Sequence, residues 1–591
     1  MISKSFLLPV FLFISVSAFS NNYYFSESIG NDNWSGRLAL PNANSTDGPR
    51  KSLNALNNLL NTTVRAGDSV FLKRGDLWSG TIGIATGAAQ GNPNQHIFIG
   101  AYGMGNRPTI FKSGTGEILL CRGSANAAAS YLHFKDLALI SNSAIGSRPV
   151  GVYVNESFYS LKPHHIILNS LYISGCQNGM ILYQNNISVE NCMLEKNGND
   201  AQGQGIFCSA TDVQFKNNVL DSNGCGSVFV HSIYISQSKN ILFEGNEIKN
   251  ADDGLKLRAS ENLIIRNNRI HNTYIHTIHV GGDQSSGTKN VVIEGNHVYN
   301  APQGLRISSE SGTQTLLSEN IIVRNNIFPA QVFISDNGPV KDIFFYNNII
   351  HTGSNQPALF FTNAINPVNL QIKNNIFYKT TSNANHSLVY FNNGLNGISL
   401  DHNLYYFPAS SNNLIYVSGT SYKTLTAFRS AYPASEIKGQ NGDPNFVSPT
   451  SDFHLTANSL LAIDKGADMA NVVTQDFDGM PRPIDGDGLG GPAWDIGPYE
   501  YCCIVNTKDY YNQNLICNIF PNPASTEIVI ETEFTIPEII CIMDLFGNKI
   551  LPIKECSKQS RVDISKLPSG IYFLQLDFKD GVILYRSFQK I

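Results

Sequence analysis

Beyond its first twenty residues the chain has no apolar stretch long enough to cross a bilayer, and that first stretch is itself too short to do so. Charge of one sign is also lacking: 41 Lys and Arg stand against 46 Asp and Glu, a net of -5. Nothing therefore suggests a broad polyanion-binding surface, and nucleic acid is a poor candidate partner. No Cys/His spacing resembles a zinc site. Ten cysteines are present, but spacing alone establishes no disulfide. Cys208 falls at an inward strand position and Cys192 at a repeated Asn position, so both read as core filling. Cys502-Cys503 lies in a join from which a bridge to Cys517 could form.

Residues 1–20 read as a secretory signal: Lys4, an apolar run from Phe6 to Val16, then Ser17, Ala18 and Ser20. The mature protein is expected outside the cytoplasm. From about residue 130 to about 405 one short phrase recurs, an Asn followed two residues later by an aliphatic or aromatic residue, as in Asn218-Val219-Leu220, Asn246-Glu247-Ile248, Asn268-Arg269-Ile270, Asn296-His297-Val298, Asn326-Ile327-Phe328, Asn348-Ile349-Ile350 and Asn375-Ile376-Phe377. The intervals are 28, 22, 28, 30, 22 and 27 residues, too irregular for a helical solenoid and too long for a hairpin meander. Apolar alternation at period two in short strands, with polar turns between them, points to a parallel β-helix. Its coils stack about 4.8 Å apart, and an Asn at one coil position can run its amides up the stack as a ladder. The expected fold is all-β: a right-handed parallel β-helix over residues 21–500, followed by a small β-sandwich.

Residues of about 22–112 read as an N-terminal cap with the first strands, since a solenoid must cover its open end, and about 440–500 read as a closing segment. Gly67-Asp68, Arg74-Gly75-Asp76, Gly442-Asp443-Pro444-Asn445-Phe446 and Asp495-Ile496-Gly497-Pro498-Tyr499-Glu500 resemble the ends of secreted bacterial proteins of the pectin-lyase-like superfamily. That resemblance implies a fold and no reaction. A polar, Tyr-rich linker at 501–515 precedes Phe520-Pro521-Asn522-Pro523, Asp544-Leu545-Phe546-Gly547-Asn548-Lys549, Val562-Asp563-Ile564-Ser565-Lys566-Leu567-Pro568-Ser569-Gly570-Ile571-Tyr572 and the basic end around Arg586 and Lys590. Residues 516–591 thereby resemble the C-terminal sorting domain of the type IX secretion system. The resemblance implies recognition by that export machinery and a secreted or surface destination.

In a strand, the residue between two inward apolar neighbours points out. Taking those middle residues coil by coil gives Tyr153, Ile181, Phe207, Tyr234, Lys256, His279, Arg306 and Phe333, with Phe360 next. A second column reads His231, Asp253, His276 and Gln303, and a third contains Ser236, Arg258, Gly281 and Ser308. Cations at the centre with aromatic rings at both ends suit an acidic polysaccharide, whose C–H faces pack on rings. Mid-strand Lys and Arg can also merely guard a sheet face, but aromatics aligned with them are not explained by solubility.

Asp252-Asp253, His276 and Arg306 on successive coils resemble the polygalacturonase pattern. The resemblance implies function for all four, yet His231 stands where that family supplies a further Asp, and Ser308 where it has a Lys. Asp252-Asp253 also resembles the calcium site of a β-helix pectate lyase family. Its next acidic ligand would fall at Lys256, so calcium would bind only if other carboxylates compensate. No other metal is expected. Asp485-Gly486-Asp487-Gly488 reads as a turn.

The reading that follows is a lyase cleaving a uronic-acid polysaccharide by β-elimination. Lys256 or His279 would act as base, Arg306 and Arg258 would meet the carboxylate, and Tyr234 would act as acid. Close cations would hold the base toward neutral pKa. Asp253 and His276 complete the catalytic group, with His231, Phe207, Phe333 and Tyr153 as substrate contacts. The alternatives are a glycoside hydrolase using two of Asp252, Asp253 and Glu310, and a non-catalytic glycan-binding surface protein.

Overall fold

The computed structural model describes residues 20–502 and 517–591, apart from 86–88, 199–202, 228, 284–285, 309–317, 335–339, 354–355, 363–365, 380–385, 409–412, 533–535, 544–548, 554–556 and 579–582. Residues 1–19 of the expected signal, the linker from Cys503 onward and Glu310 lie outside the described residues, as does the stretch from Asp544 to Asn548. Two compact units meet in sequence between Tyr501 and Cys502.

The first unit is a solenoid of parallel strands. One wall is a 14-stranded sheet that begins with Asn22–Phe25 and ends with Ile398–Asp401. The other two walls merge into one 26-stranded network, because Glu247–Arg258 and Arg269–Gly281 turn the corner between them without a break. Alternation drives the coiling. Val152, Met180, Ile206, Ile233, Leu255, Ile278, Leu305 and Val332 form one continuous buried row inside the core, while their neighbours in sequence face the outer side.

Each coil turns at a left-handed residue just before the repeated Asn: Asn217 (φ 54), Gly245 (φ 67), Asn267 (φ 56), Gly295 (φ 62), Asn325 (φ 52), Asn347 (φ 54) and Asn374 (φ 58). Only Asn and Gly reach this region cheaply. At Gly245 a Cβ would also come 2.5 Å from Asn217 Oδ1. The following Asn is buried and donates Nδ2 to the next rung, as in Asn218→Asn246, Asn246→Asn268 and Asn268→Asn296 at 2.9–3.0 Å. Cys192 sits at the base of this ladder, its backbone N–H donating to Asn218 Oδ1. Cys192 and Cys208 are buried free thiols.

Helix Leu53–Thr62, N-capped by Ser52, lays Leu53, Leu56, Leu59 and Leu60 over the first coils. At the far end Glu436 closes the ladder, accepting from Asn403 Nδ2 at 2.6 Å and from the Tyr405 hydroxyl at 2.7 Å. The chain then folds back along the coils, where Asn347 Nδ2 donates to the Asp495 and Gly497 carbonyls and Asn374 Nδ2 to that of Ala467. The second unit holds a three-stranded antiparallel sheet and a four-stranded one, and its core includes Ile528, Ile530, Ile540, Ile542, Leu574 and Leu576. Among the described residues no helix is long and apolar enough to cross a membrane.

Candidate functional site

Tyr153, Ile181, Phe207, Tyr234, Lys256, His279, Arg306, Phe333 and Phe360 are Cα partners in consecutive parallel pairings. The column runs on through Tyr390 and Tyr416. Beside it His231, Asp253, His276 and Gln303 are likewise in register, and Ser236, Arg258 and Gly281 form the third row. All the candidate residues therefore share one wall, and Tyr234 to Arg306 spans three strand steps, about 14 Å. Asp253 and His276 sit where the long strands bend. Between Ala251 and Asp253 the register shifts, with one extra residue on the Arg269–Gly281 strand. A bulge of this kind re-aims side chains.

One expectation is corrected. The middle residues were expected to face solvent, yet Lys256 and His279 are only 8% and 4% exposed. They are not turned inward, since Leu255, Leu257, Ile278 and Val280 occupy the core. For His279 the cover comes from the same wall, where the His276 ring lies 5.0 Å from its own. Alternation gives a side chain its direction, whereas cover depends on the size of its neighbours.

Hydrogen bonds run across the coils. Asp253 Oδ1 lies 2.8 Å from His276 Nδ1 and accepts the His276 backbone N–H at 3.0 Å, while Oδ2 lies 3.4 Å from His231 Nε2. His231 Nδ1 is 3.1 Å from Gln204 Oε1. On the other flank Arg306 Nη1 is 3.5 Å from His276 Nε2. His279 Nε2 meets Ser308 Oγ at 2.8 Å, so the serine that departs from the polygalacturonase pattern supports a ring. Burial first, and then the positive charge of Lys256, pushes the His279 imidazole well below its ordinary pKa, leaving a neutral ring at physiological pH. Arg258 donates to the Tyr234 hydroxyl at 3.2 Å and to the Gly282 carbonyl at 3.0 Å.

The aromatic residues hold cations as well as lining the column. Arg306 lies over the Phe333 ring at 4.8 Å, and Arg122 over that of Tyr153 at 5.9 Å. Phe207 packs edge-on against Tyr234 and tilted against Tyr183. Sequence reasoning missed Gln204, whose partner is 27 residues away. It also missed two exposed rings, Phe229 (75% exposed) and Tyr274 (69%). Each stands two residues before a histidine of the second column, and that spacing was the available signal.

Asp253, His276 and His279 each offer a ligand atom, all within 4.8 Å of one another, but Lys256 and Arg306 flank His279 on either side in its own row. Their positive charge disfavours a cation there. Asp252 Oδ2 accepts the Gly226 N–H at 2.7 Å, so the two neighbouring carboxylates serve different partners. Asp464, Asp485 and Asp487 form a second cluster, where Asp464 accepts the backbone N–H groups of Gly486 and Asp487, as a turn requires.

Residues 229–350, the coils that carry the row from Tyr234 to Arg306, match the family model for a right handed beta helix region. Residues 518–587 match the one for a secretion system C-terminal sorting domain. The chain is thus a right-handed parallel β-helix with a type IX secretion sorting tail, and that tail directs it to the cell surface or out of the cell. No curated protein sequence matches it. Similar solved structures include a lacto-N-biosidase from Eubacterium ramulus (14% identity, 71% of this chain and 68% of that one, TM-score 0.37). An alginate lyase from Paenibacillus sp. shows 14% identity, covering 49% of this chain and 97% of that one, at a TM-score of 0.39. A mannuronan C-5 epimerase module from Azotobacter vinelandii shows 16% identity, 64% and 91% coverage, and a TM-score of 0.41. No activity is carried over from proteins this distant.

Proposed function

We propose that the protein is a carbohydrate-active enzyme that cleaves a uronic-acid-containing polysaccharide by β-elimination. The observation that carries this reading is the in-register row Tyr234, Lys256, His279 and Arg306, with Arg258 bonded to the Tyr234 hydroxyl. Elimination requires a cation or donors on the uronate carboxylate, a base for the C5 proton and an acid for the departing oxygen. Arg306 and Lys256 supply positive charge in this row. Tyr234 supplies a proton, and Arg258 stabilises the phenolate it leaves. Hydrolysis needs two carboxyl groups that act separately on one bond. Here Asp253 is engaged by two histidines and Asp252 by the Gly226 N–H, which favours elimination.

The test is incubation of the mature protein with alginate, pectate, glycosaminoglycans and sulfated algal polymers, following unsaturated-uronate absorbance and reducing ends together. A rise in both supports a lyase. Reducing ends alone mean a hydrolase, and binding with neither signal means a glycan-binding surface protein.

A further inference from the structure

The row behind the cationic column fixes the proton positions on its histidines. Asp253 Oδ1 accepts the His276 backbone N–H, and the same oxygen faces Nδ1 at 2.8 Å, so Nδ1 carries the ring proton. On the opposite side of the ring stands Arg306 Nη1, which can only donate, so Nε2 is the bare nitrogen. Two neighbours on different coils thus select the same tautomer. The row continues away from the groove. Gln204 Oε1 accepts the His231 backbone N–H at 2.6 Å, while its Nε2 donates to the Phe229 carbonyl at 3.1 Å. These two contacts fix the orientation of the amide. The oxygen facing His231 Nδ1 is therefore an acceptor, and Nδ1 donates to it. His231 Nε2 in turn lies 3.4 Å from the other oxygen of Asp253.

The row is graded in exposure. The side chains of His231 and Asp253 are 7% and 5% exposed, whereas that of His276 is 18% exposed. His276 is the end that opens toward solvent. Lys256 and His279 are more deeply covered.

We infer that His276 Nε2 is the base that removes the C5 proton of the uronate, and that Asp253, His231 and Gln204 are positioning residues that hold its ring. This rests on the elimination reading above and names its proton acceptor. In the step, Nε2 forms a bond to the C5 hydrogen, and the C–H pair moves into the carboxylate-stabilised carbanion and then into a C4=C5 bond as the C4–O bond breaks. The departing oxygen takes the Tyr234 proton. His276 leaves as imidazolium and returns its proton to water, from which Tyr234 is reprotonated. Lys256 and Arg306 remain charged throughout.

The test uses the full mature chain and two readouts. With a uronic-acid polymer that the wild type cleaves, His276→Gln is expected to lower kcat by at least about 10³-fold and Asp253→Asn by about 10²-fold or more, with KM little changed. His231→Gln, which keeps a donor toward Asp253, should lose only about tenfold. The charged and titratable groups facing the His276 ring are Asp253, His231, Lys256, His279 and Arg306, so pH profiles are compared among variants rather than against free imidazole. Nitrogen-15 spectra of histidine-labelled protein, assigned by the signal lost in His276→Gln, should show a bare Nε2 in the wild type and a shifted tautomer in Asp253→Asn. Elimination by His276→Gln within about tenfold of the wild type, or a wild-type Nε2–H tautomer, would overturn the assignment. A wild type that yields no unsaturated product from any uronate polymer overturns the elimination reading itself, and the role of the base with it.

Discussion

A single side chain here draws its character from the coils above and below it. Lys256 lies between Tyr234 and His279 in register, and its charge contributes to the depressed basicity of His279. Lys256→Ala is expected to lower turnover at least about 10²-fold while leaving the circular dichroism spectrum unchanged; wild-type turnover in the variant would remove the residue from the site. Tyr274, whose exposed ring stands two residues before His276, should act on binding alone: Tyr274→Ala is expected to raise KM severalfold at constant kcat, and steady-state kinetics on a uronic-acid polymer decide it. Glu436 offers a test by pH. Burial, opposed by hydrogen bonds from Asn403 and Tyr405, pushes its carboxyl up to about 7. A carboxyl raised in the fold stabilises it below the unfolded value near 4.5, and that contribution is lost as pH rises through about 7. Relative to Glu436→Gln, the wild type should lose stability as pH rises across this window, as read from paired denaturant titrations. His279 has the opposite sign: its contribution is present above the ordinary imidazole value and is lost as pH falls below it.

At the scale of the coil, hydrogen-bonded Asn rows do different work at different depths. Asn268 is buried, donating to Asn296 and to the Phe243 carbonyl while accepting from Asn246. Asn262 belongs to an exposed row with Asn240 and Asn290. Removing Asn268 leaves buried groups unsatisfied, so Asn268→Ala is expected to cost about 2–4 kcal/mol, whereas Asn262→Ala should cost only about 1 kcal/mol, the strain of placing Ala at a left-handed position (φ 59); equal shifts in denaturation midpoint would contradict this. The inner row was legible in the sequence because its Asn keeps phase with the apolar positions. The outer row keeps phase as well, since Asn240, Asn262 and Asn290 each stand one residue before inward Ile241, Leu263 or Val291, but which of the two rows is buried was not legible, because that depends on cover from neighbouring segments. The site divides in the same way. Column membership followed from alternation, so Lys256, His279 and Arg306 could be aligned by reading strands. The burial of the first two, and the link from Gln204 to His231, depend on side-chain volume and on contacts between coils, which no local pattern encodes. The bulge beside Asp253 was equally silent, because one added residue in a coil of irregular length leaves no mark.

At the scale of the whole molecule, delivery and proposed chemistry occupy separate units. The tail matching a secretion sorting domain spans 518–587, and the row from Tyr234 to Arg306 lies within the coils of residues 229–350. Removing residues 517–591 is expected to leave the protein inside the cell envelope with its β-sheet spectrum intact, as cell fractionation and circular dichroism would show; normal surface delivery without the tail would contradict that assignment. For the solenoid, the most direct test of the proposed reaction is the mass of its products when a uronic-acid polymer is cleaved in heavy-oxygen water. Elimination breaks the chain without adding water, so the fragments should carry an unsaturated end and no heavy oxygen. One solvent oxygen per bond cleaved, carried at the new reducing end while the other fragment keeps a saturated sugar, would contradict elimination and identify a hydrolase.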